Sequence, residues 1–399
     1  MGGAYGHINH VFEDYNLTFD NLKHIIKLGF EADLNYEDYI IEKTDGMNLF
    51  VSWKNSQLIC ARTQTQLYNN GETSKTISEL KEYFPQEHIC NIYNEVCLLL
   101  SEYIGNLPEM ESFEIFGNGE RFISIEIINT NNINVIPYEE NYIVLQNFVS
   151  IEGTFIKPIG KHLTFYLYDL ICDFNVFKQV VNYKLIHLPL VKLNVLHNVY
   201  VNFNTQINSY IKQFNVNDSN NIRDLLTNWW RAVLIDKLKI DHEKAKLLIN
   251  RWVDEDKSYN LKLIKKDFSD KLLSKILYYE SEYKYINRRL LQRLEYIICE
   301  VGDIFINSLH TYLINDLDKG EQTLKVELNK YIDIIKERNN KKELLLLSKS
   351  LYFLNTIRPD KLIPSEGIIF SYMNTQYKFT GKFKYLSNIF GMVKFGNRI

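Results

Sequence analysis

Apolar residues along this chain switch between two periods, and the switches mark its parts. Behind Thr18-Phe19-Asp20-Asn21, Leu22, Ile25, Ile26, Leu28 and Phe30 fall at helical spacing after a capping residue, in a leading segment that ends near residue 40. From about 38 to 180 the pattern turns to short β-rich runs: Asp38–Lys43, Leu49–Trp53, Gln57–Arg62, Phe122–Ile128, Tyr142–Leu145 and Leu163–Tyr168. A helical stretch over 75–105, carrying Leu80, Tyr83, Phe84, Ile92, Val96, Leu99 and Ile104, interrupts them. From 205 to 355 the period is helical again. Leu290, Leu291, Leu294, Ile297 and Ile298 share one face, and no proline lies between Pro189 and Pro359. The last forty residues return to strands, Gly367–Tyr372 and Gln376–Thr380, around a turn at Asn374. This predicts an α+β chain in which 1–204 and 356–399 form one β-rich domain and 205–355 an inserted all-helical domain.

Composition narrows the class. The 399 residues are 46% hydrophobic and 24% charged, which supplies a real core and excludes wholesale disorder. A net charge of −3 excludes a histone-like polycation but leaves room for a local basic groove. Cys60, Cys90, Cys97, Cys172 and Cys299 are odd in number and contain no CxxC pair, so neither a disulfide framework nor a cysteine zinc site is expected. The first ten residues lack an apolar signal core, and no run of about 18 apolar residues occurs, so a cytoplasmic protein without a membrane span is expected.

The candidate chemistry lies in the β-rich runs. Lys43-Thr44-Asp45-Gly46 sits where a strand meets a turn, directly after Glu42. An amine placed there can reach a bound nucleotide, and it attacks a phosphorus only when unprotonated. Gly46 lets backbone approach a ligand closely. A lysine before a turn is ordinarily a solvated surface residue, but two further pieces follow in order. Glu366-Gly367-Ile368-Ile369-Phe370 places an acid before an apolar strand, and Tyr377-Lys378-Phe379-Thr380-Gly381-Lys382 places lysines on the next. Glu366 can hold a divalent metal or a ribose hydroxyl. Lys378 can neutralise an α-phosphate during attack.

Taken together, these residues resemble the covalent nucleotidyltransferases, the superfamily of ATP-dependent DNA ligases, RNA ligases and mRNA capping enzymes. Lys43-Thr44-Asp45-Gly46 matches its first motif, KxDG, and Asn48, two residues on, is more similar to bacteriophage RNA ligases than to DNA ligases. Glu366-Gly367-Ile368-Ile369-Phe370 matches the fourth motif and Lys378 the fifth, where Thr380 stands in place of a second lysine and Lys382 follows two later. The opening Gly2–His10 with Leu17-Thr18-Phe19 also resembles a group of tailed-phage proteins.

The resemblance implies a ligase-type domain of antiparallel sheets, with ATP and Mg²⁺ as cofactors and a nucleic acid, RNA rather than DNA, as partner. Lys43 is the implied nucleophile. Glu42, Asp45, Gly46, Arg62, Glu126, Glu366, Lys378 and Lys382 are the implied nucleotide contacts, and Glu366 the implied metal ligand. Glu126 fits the acidic third motif, with Glu114 in Phe113-Glu114-Ile115-Phe116 as runner-up. Tyr142, Val144 and Phe148 remain open as the residue that covers the base. The implied reaction forms a lysyl-adenylate, moves AMP to a 5′-phosphate, and seals the strand with a 3′-hydroxyl.

The chain also departs from the family. Positions 126 and 366 are 240 apart, which requires the helical insert. Only 21 residues follow Lys378, too few for a C-terminal OB domain, so an RNA-ligase-like or divergent enzyme is favoured. From Lys237 to Arg289 there are fourteen Lys/Arg and nine Asp/Glu. Lys265, Lys266, Arg288, Arg289, Arg293, Trp229 and Trp230 are candidates for meeting phosphates and bases, although charged helical residues ordinarily make a solvated face and such tryptophans a core. His7 and His10 lack further local ligands, so no metal is assigned to them. Two other readings stand beside the ligase: another nucleotidyltransferase, of capping or protein-modifying type, and a non-catalytic nucleotide- or nucleic-acid-binding viral structural protein.

Overall fold

The alternation Phe122-Ile123-Ser124-Ile125-Glu126-Ile127 folds into a two-faced strand. In the computed structural model, which describes residues 8–31, 34, 40–83, 86–159, 161–173, 182–188, 199–254, 268–313, 317–338, 341–355, 365–373 and 375–395, the chain divides into two units. One unit comprises Met1–Ile8, Asn35–Lys192 and Ile306–Ile399; the other comprises Asn9–Leu34 and Leu193–Phe305.

The first unit is α+β. Its strands are β1 (Ile41–Lys43), β2 (Met47–Lys54), β3 (Gln57–Ala61), β4 (Lys75–Thr76), β5 (Arg121–Ile128), β6 (Tyr142–Glu152), β7 (Phe155–Pro158), β8 (Lys184–His187), β9 (Gly367–Tyr372) and β10 (Thr375–Phe379). Seven of them form one sheet in the order β4-β3-β2-β5-β6-β7, with β8 beside β6 in parallel. The other ladder places β9 between β10 and β1, antiparallel to both. Lys43 ends β1 and Met47 begins β2, so Thr44-Asp45-Gly46 carries the chain from one sheet to the other.

The seven-stranded sheet buries different chemistry on its two faces. Leu49, Val51, Cys60, Ile123, Ile125, Ile127, Ile143 and Leu145 point into a core with Tyr93, Val96, Leu100 and Ile104 of the helix Glu87–Gly105 and with Leu167 and Ile171. On the opposite face, Phe50, Ile59, Ala61, Phe122 and Val149 make one apolar patch, and Ile128, Val144 and Leu188 another. Side chains in a strand alternate between faces, so Asn48, Ser124 and Glu126 fall on this second face.

A β-bulge breaks that alternation. Ile125 pairs with Leu145, yet Ile123 pairs with Phe148, so β6 carries one extra residue opposite Ser124. The bulge returns Phe148 to the helix-covered core, where its ring lies 5.7 Å from Phe116.

Several expected elements differ. Leu163–Tyr168, expected as a strand, lies in the helix His162–Asp173. Its aromatic alternation looks β-like, but Leu163, Leu167 and Ile171 recur every four residues and cover the core. Glu114 lies exposed on the helix Glu109–Phe116, which removes it as a strand acid. The hairpin of β9 and β10 is formed, with Asn374 outside the described residues. It is followed by a helix, Phe383–Phe395, in place of further strand; Leu386, Ile389 and Phe390 are its buried stripe. Asp38 and Tyr39, expected to open β1, and Phe84 also lie outside the described residues.

The domain boundaries differ as well. The helices Leu317–Arg338 and Lys341–Asn355, expected within the helical insert, belong to the β-rich unit, and the Tyr331 ring lies 4.4 Å from that of Phe390. The helix Phe19–Glu31, expected with the leading segment, belongs to the helical unit. There Phe19 packs 5.7 Å from Tyr210 and Phe30 5.8 Å from Phe203. Periodicity reveals that a helix has an apolar face, not which partner covers it.

In the helical unit Trp230 is fully buried and stacks 3.9 Å from Trp252, with Trp229 edge-on at 4.8 Å. Trp230 is therefore core and presents no face for a base. Arg293 is exposed near Gln213 and Ser209. Lys265, Lys266 and the side chains of Arg288 and Arg289 lie outside the described residues, as does His7. His10 is buried and stacks on Phe12 at 5.0 Å. None of the five cysteines is in a disulfide, and the sulfurs of Cys60 and Cys97 lie 3.4 Å apart in the core. Among the described residues no helix is long and apolar enough to cross a membrane.

Candidate functional site

The turn between β1 and β2 is built around Asp45. Its Oδ2 accepts the backbone N–H groups of Val135 and Ile136, both at 2.7 Å, and its Oδ1 accepts from the Asn134 amide at 2.5 Å. Its own N–H donates to the Tyr138 hydroxyl at 3.0 Å. Asp45 thus ties the 134–138 loop to the end of β1. Burial first, then the charges of Asp45 and Glu42, push the Tyr138 phenol far above its ordinary range, so it stays protonated.

Glu126 is held by three donors. Its Oε1 accepts the Gly46 N–H at 2.8 Å; its Oε2 accepts the Thr44 hydroxyl at 3.0 Å and the Gln146 amide at 2.6 Å. Gly46 is needed for this approach. A methyl there would stand 2.7 Å from the Ile127 carbonyl oxygen and 2.8 Å from Glu126 Cγ. Burial raises the Glu126 carboxyl above its usual range, although Lys43 and the Gly46 and Thr44 hydrogen bonds pull the other way.

Lys43 lies between acids. Its ammonium is ion-paired with Glu366, the residue just before β9, while Glu126 and Asp45 add attraction. Burial alone would lower the Lys43 pKa; the surrounding acids reverse this and raise it, so the resting amine is a cation. Glu366 shares that single ammonium with two other carboxylates. Burial, with Asp45 and Glu126, lifts it to about 7 despite Lys43.

The remaining expected contacts divide. Gly367 pairs with Lys43, and Ile369 pairs with both Ile41 and Lys378. Directly paired residues share a face, so Lys378 lies on the same face of its ladder as Lys43. Lys378 and Lys382 are both buried, Lys382 just before the final helix. Glu42 pairs with Ile368 and faces away from Lys43; burial raises it to about 7, partly offset by the Ser365 hydroxyl. Arg62 donates to the Asn48 carbonyl at 2.9 Å and lies 5.2 Å over the Tyr93 ring.

Of the three candidates for covering a base, Phe148 is committed to the core. Val144 pairs with Glu126 on the site face, and Tyr142 lies near it with its hydroxyl on Glu140.

Sequence reasoning missed Thr44, Gln146 and the 134–138 loop. Gln146 carried a signal, as a polar residue within Tyr142-Ile143-Val144-Leu145 and its continuation. The face holds a polar row across three strands: the Asn48 amide donates to Ser124 Oγ at 2.9 Å, and that hydroxyl donates to Gln146 Oε1 at 2.9 Å. Asn48 Oδ1 is buried without a hydrogen-bond partner. An unsatisfied buried acceptor suits a ligand that brings a hydroxyl or N–H donor, which fits a nucleotide. For a metal, no group of three or more His, Cys, Asp or Glu is arranged to hold one among the described residues.

No protein-family model matches this chain, and no curated protein matches it.

Proposed function

We propose that this chain is a nucleotidyltransferase that becomes covalently nucleotidylated on Lys43, and specifically an ATP-dependent polynucleotide ligase of RNA-ligase type. The observation that carries this reading is the gathering of Glu366 and Glu126 around the Lys43 amine on the two sides of a sheet-to-sheet turn.

In this reading the Lys43 lone pair forms a bond to the α-phosphorus of ATP as the bond to pyrophosphate breaks. The amine must first lose its proton, so the Glu366 ion pair marks a resting state. When bound, Mg²⁺ would take one or two protein carboxylates plus substrate phosphates, and Glu366 would be the carboxylate to join it. Drawing Glu366 away from Lys43 removes the strongest attraction that keeps the amine protonated. Lys378, on the same face, is the cation available to the phosphate, and the polar row of Asn48, Ser124 and Glu126 faces the ribose. The adenylate then passes to a 5′-phosphate of RNA, and a 3′-hydroxyl displaces AMP.

The test is incubation of the full chain with α-labelled ATP or GTP and Mg²⁺ or Mn²⁺, followed by denaturing electrophoresis. Label from ATP that disappears in Lys43→Ala supports the reading. Label from GTP alone favours capping-type chemistry, and absence of label from either nucleotide overturns the enzyme assignment.

A further inference from the structure

The bulge in β6 has a chemical consequence. Gln146 shares the site face with Val144 by ordinary alternation, and the bulge sets it and Asn147 opposite Ser124 while Phe148 returns to the core. Bulges re-aim individual side chains in this way. The Gln146 carboxamide then spans the polar row, accepting from Ser124 Oγ at 2.9 Å and donating to Glu126 Oε2 at 2.6 Å.

The direction of this chain is fixed by its ends. An ionised carboxylate only accepts, so the Gln146 nitrogen must face Glu126 and its oxygen must face Ser124. The Ser124 hydroxyl, spent on Gln146, is left to accept from Asn48. The orientation of Asn48 is thereby set as well, with Oδ1 as the open acceptor. The local backbone holds Gln146 in turn: Thr164, in the first turn of the helix His162–Asp173, donates its hydroxyl to the Gln146 carbonyl at 3.3 Å.

We propose that Gln146 is a positioning residue for the nucleotide site, holding Glu126 in its acceptor form and orienting Asn48 through Ser124 to receive hydroxyl or N–H donors of the nucleotide. This rests on the nucleotidyltransferase reading. Glu126 is faced by Lys43, Thr44, Asp45 and Gly46 from the β1–β2 turn, by Glu366 before β9, by Tyr138 from the loop, and by Gln146 from β6. Among these, Gln146 is a donor whose removal leaves both the turn and the charges in place.

The experiment compares wild type, Gln146→Leu and Gln146→Glu as full chains. The ATP concentration that half-saturates Lys43 labelling is expected to rise about tenfold in Gln146→Leu, and further in Gln146→Glu, where a second carboxyl faces Glu126, with the saturated labelling rate nearly kept. An unchanged half-saturating concentration, or a fall in the saturated rate alone, overturns the proposal, because a merely structural residue would not weaken nucleotide binding selectively. A second measurement needs no nucleotide: the Glu126 carboxyl is titrated by ¹³C NMR in ¹³C-glutamate protein, assigned with Glu126→Gln. Its midpoint is expected to rise in Gln146→Leu. If wild type takes no label, the nucleotidyltransferase reading fails, and an unmoved Glu126 midpoint would separately sink the role of Gln146.

Discussion

Lys43 and Glu366 form an ion pair between the end of β1 and the start of β9, two strands brought together from opposite ends of the first unit. The pair sets the protonation of Lys43, the proposed nucleophile. Burial favours the neutral amine; Glu366, Glu126 and Asp45 favour the ammonium and prevail. Glu366→Gln removes the first of these acids, so the Lys43 pKa is expected to fall and its intrinsic reactivity to rise. Reaction of Lys43 with a small amine-directed reagent at pH 8, followed by peptide mapping, is expected to speed up at least about threefold in Glu366→Gln. Nucleotidylation of the same variant is expected to drop, because the carboxylate proposed to join Mg²⁺ is gone. An unchanged modification rate would show that Glu366 does not govern the amine.

Glu42, beside Lys43 on β1, faces away from it and is costly to ionise. Its carboxyl rises from 4.5 to about 7, chiefly through burial. A raised carboxyl binds more protons in the folded than in the unfolded chain between those values, so stability falls as pH climbs from 4.5 to 7. Above 7 the loss is complete and amounts to at most about 3 kcal/mol. Glu42→Gln is expected to be more stable than wild type at pH 8, with the advantage shrinking through that window and gone below 4.5. Urea midpoints at pH 4, 6 and 8 measure it. A difference independent of pH would place the effect in packing rather than in the charge.

What was readable in advance follows from physical locality. Lys43, Asp45 and Gly46 announce themselves through a turn between strands, and Glu126 through its place between isoleucines. Glu366 and Lys378 were readable because a hairpin fixes which residues share a face. The bulge that returns Phe148 to the core depends on which residue of β6 goes unpaired, and no local pattern shows it. The donors to Asp45 lie in a loop, Asn134–Ile136, whose backbone N–H groups carry no side-chain signature. The helix His162–Asp173 was lost for a different reason: its aromatic residues favour strands, and its core contacts override that propensity.

Lys161 supplies the last prediction. It lies two residues after Ile159, whose N–H donates to the Phe148 carbonyl at 2.8 Å. Only 4% of Lys161 is exposed, and its amine has one hydrogen bond, to the Leu188 carbonyl at 3.3 Å. Burial lowers the amine from 10.5 to about 8. A base with a lowered folded pKa binds fewer protons when folded, so stability rises with pH between about 8 and 10.5, and the cost of the charge is fully present below 8. Lys161→Met removes the desolvated cation at similar volume and leaves one carbonyl without its donor. Against a charge cost of at most about 3 kcal/mol, the lost hydrogen bond returns about 1 kcal/mol. The variant is expected to be more stable by about 1–2 kcal/mol at pH 7, with the gain fading toward pH 10.5. Urea unfolding of both chains at pH 7 and pH 10 measures this. A variant less stable than wild type at pH 7 would show that the contact to Leu188 outweighs the cost of the buried charge.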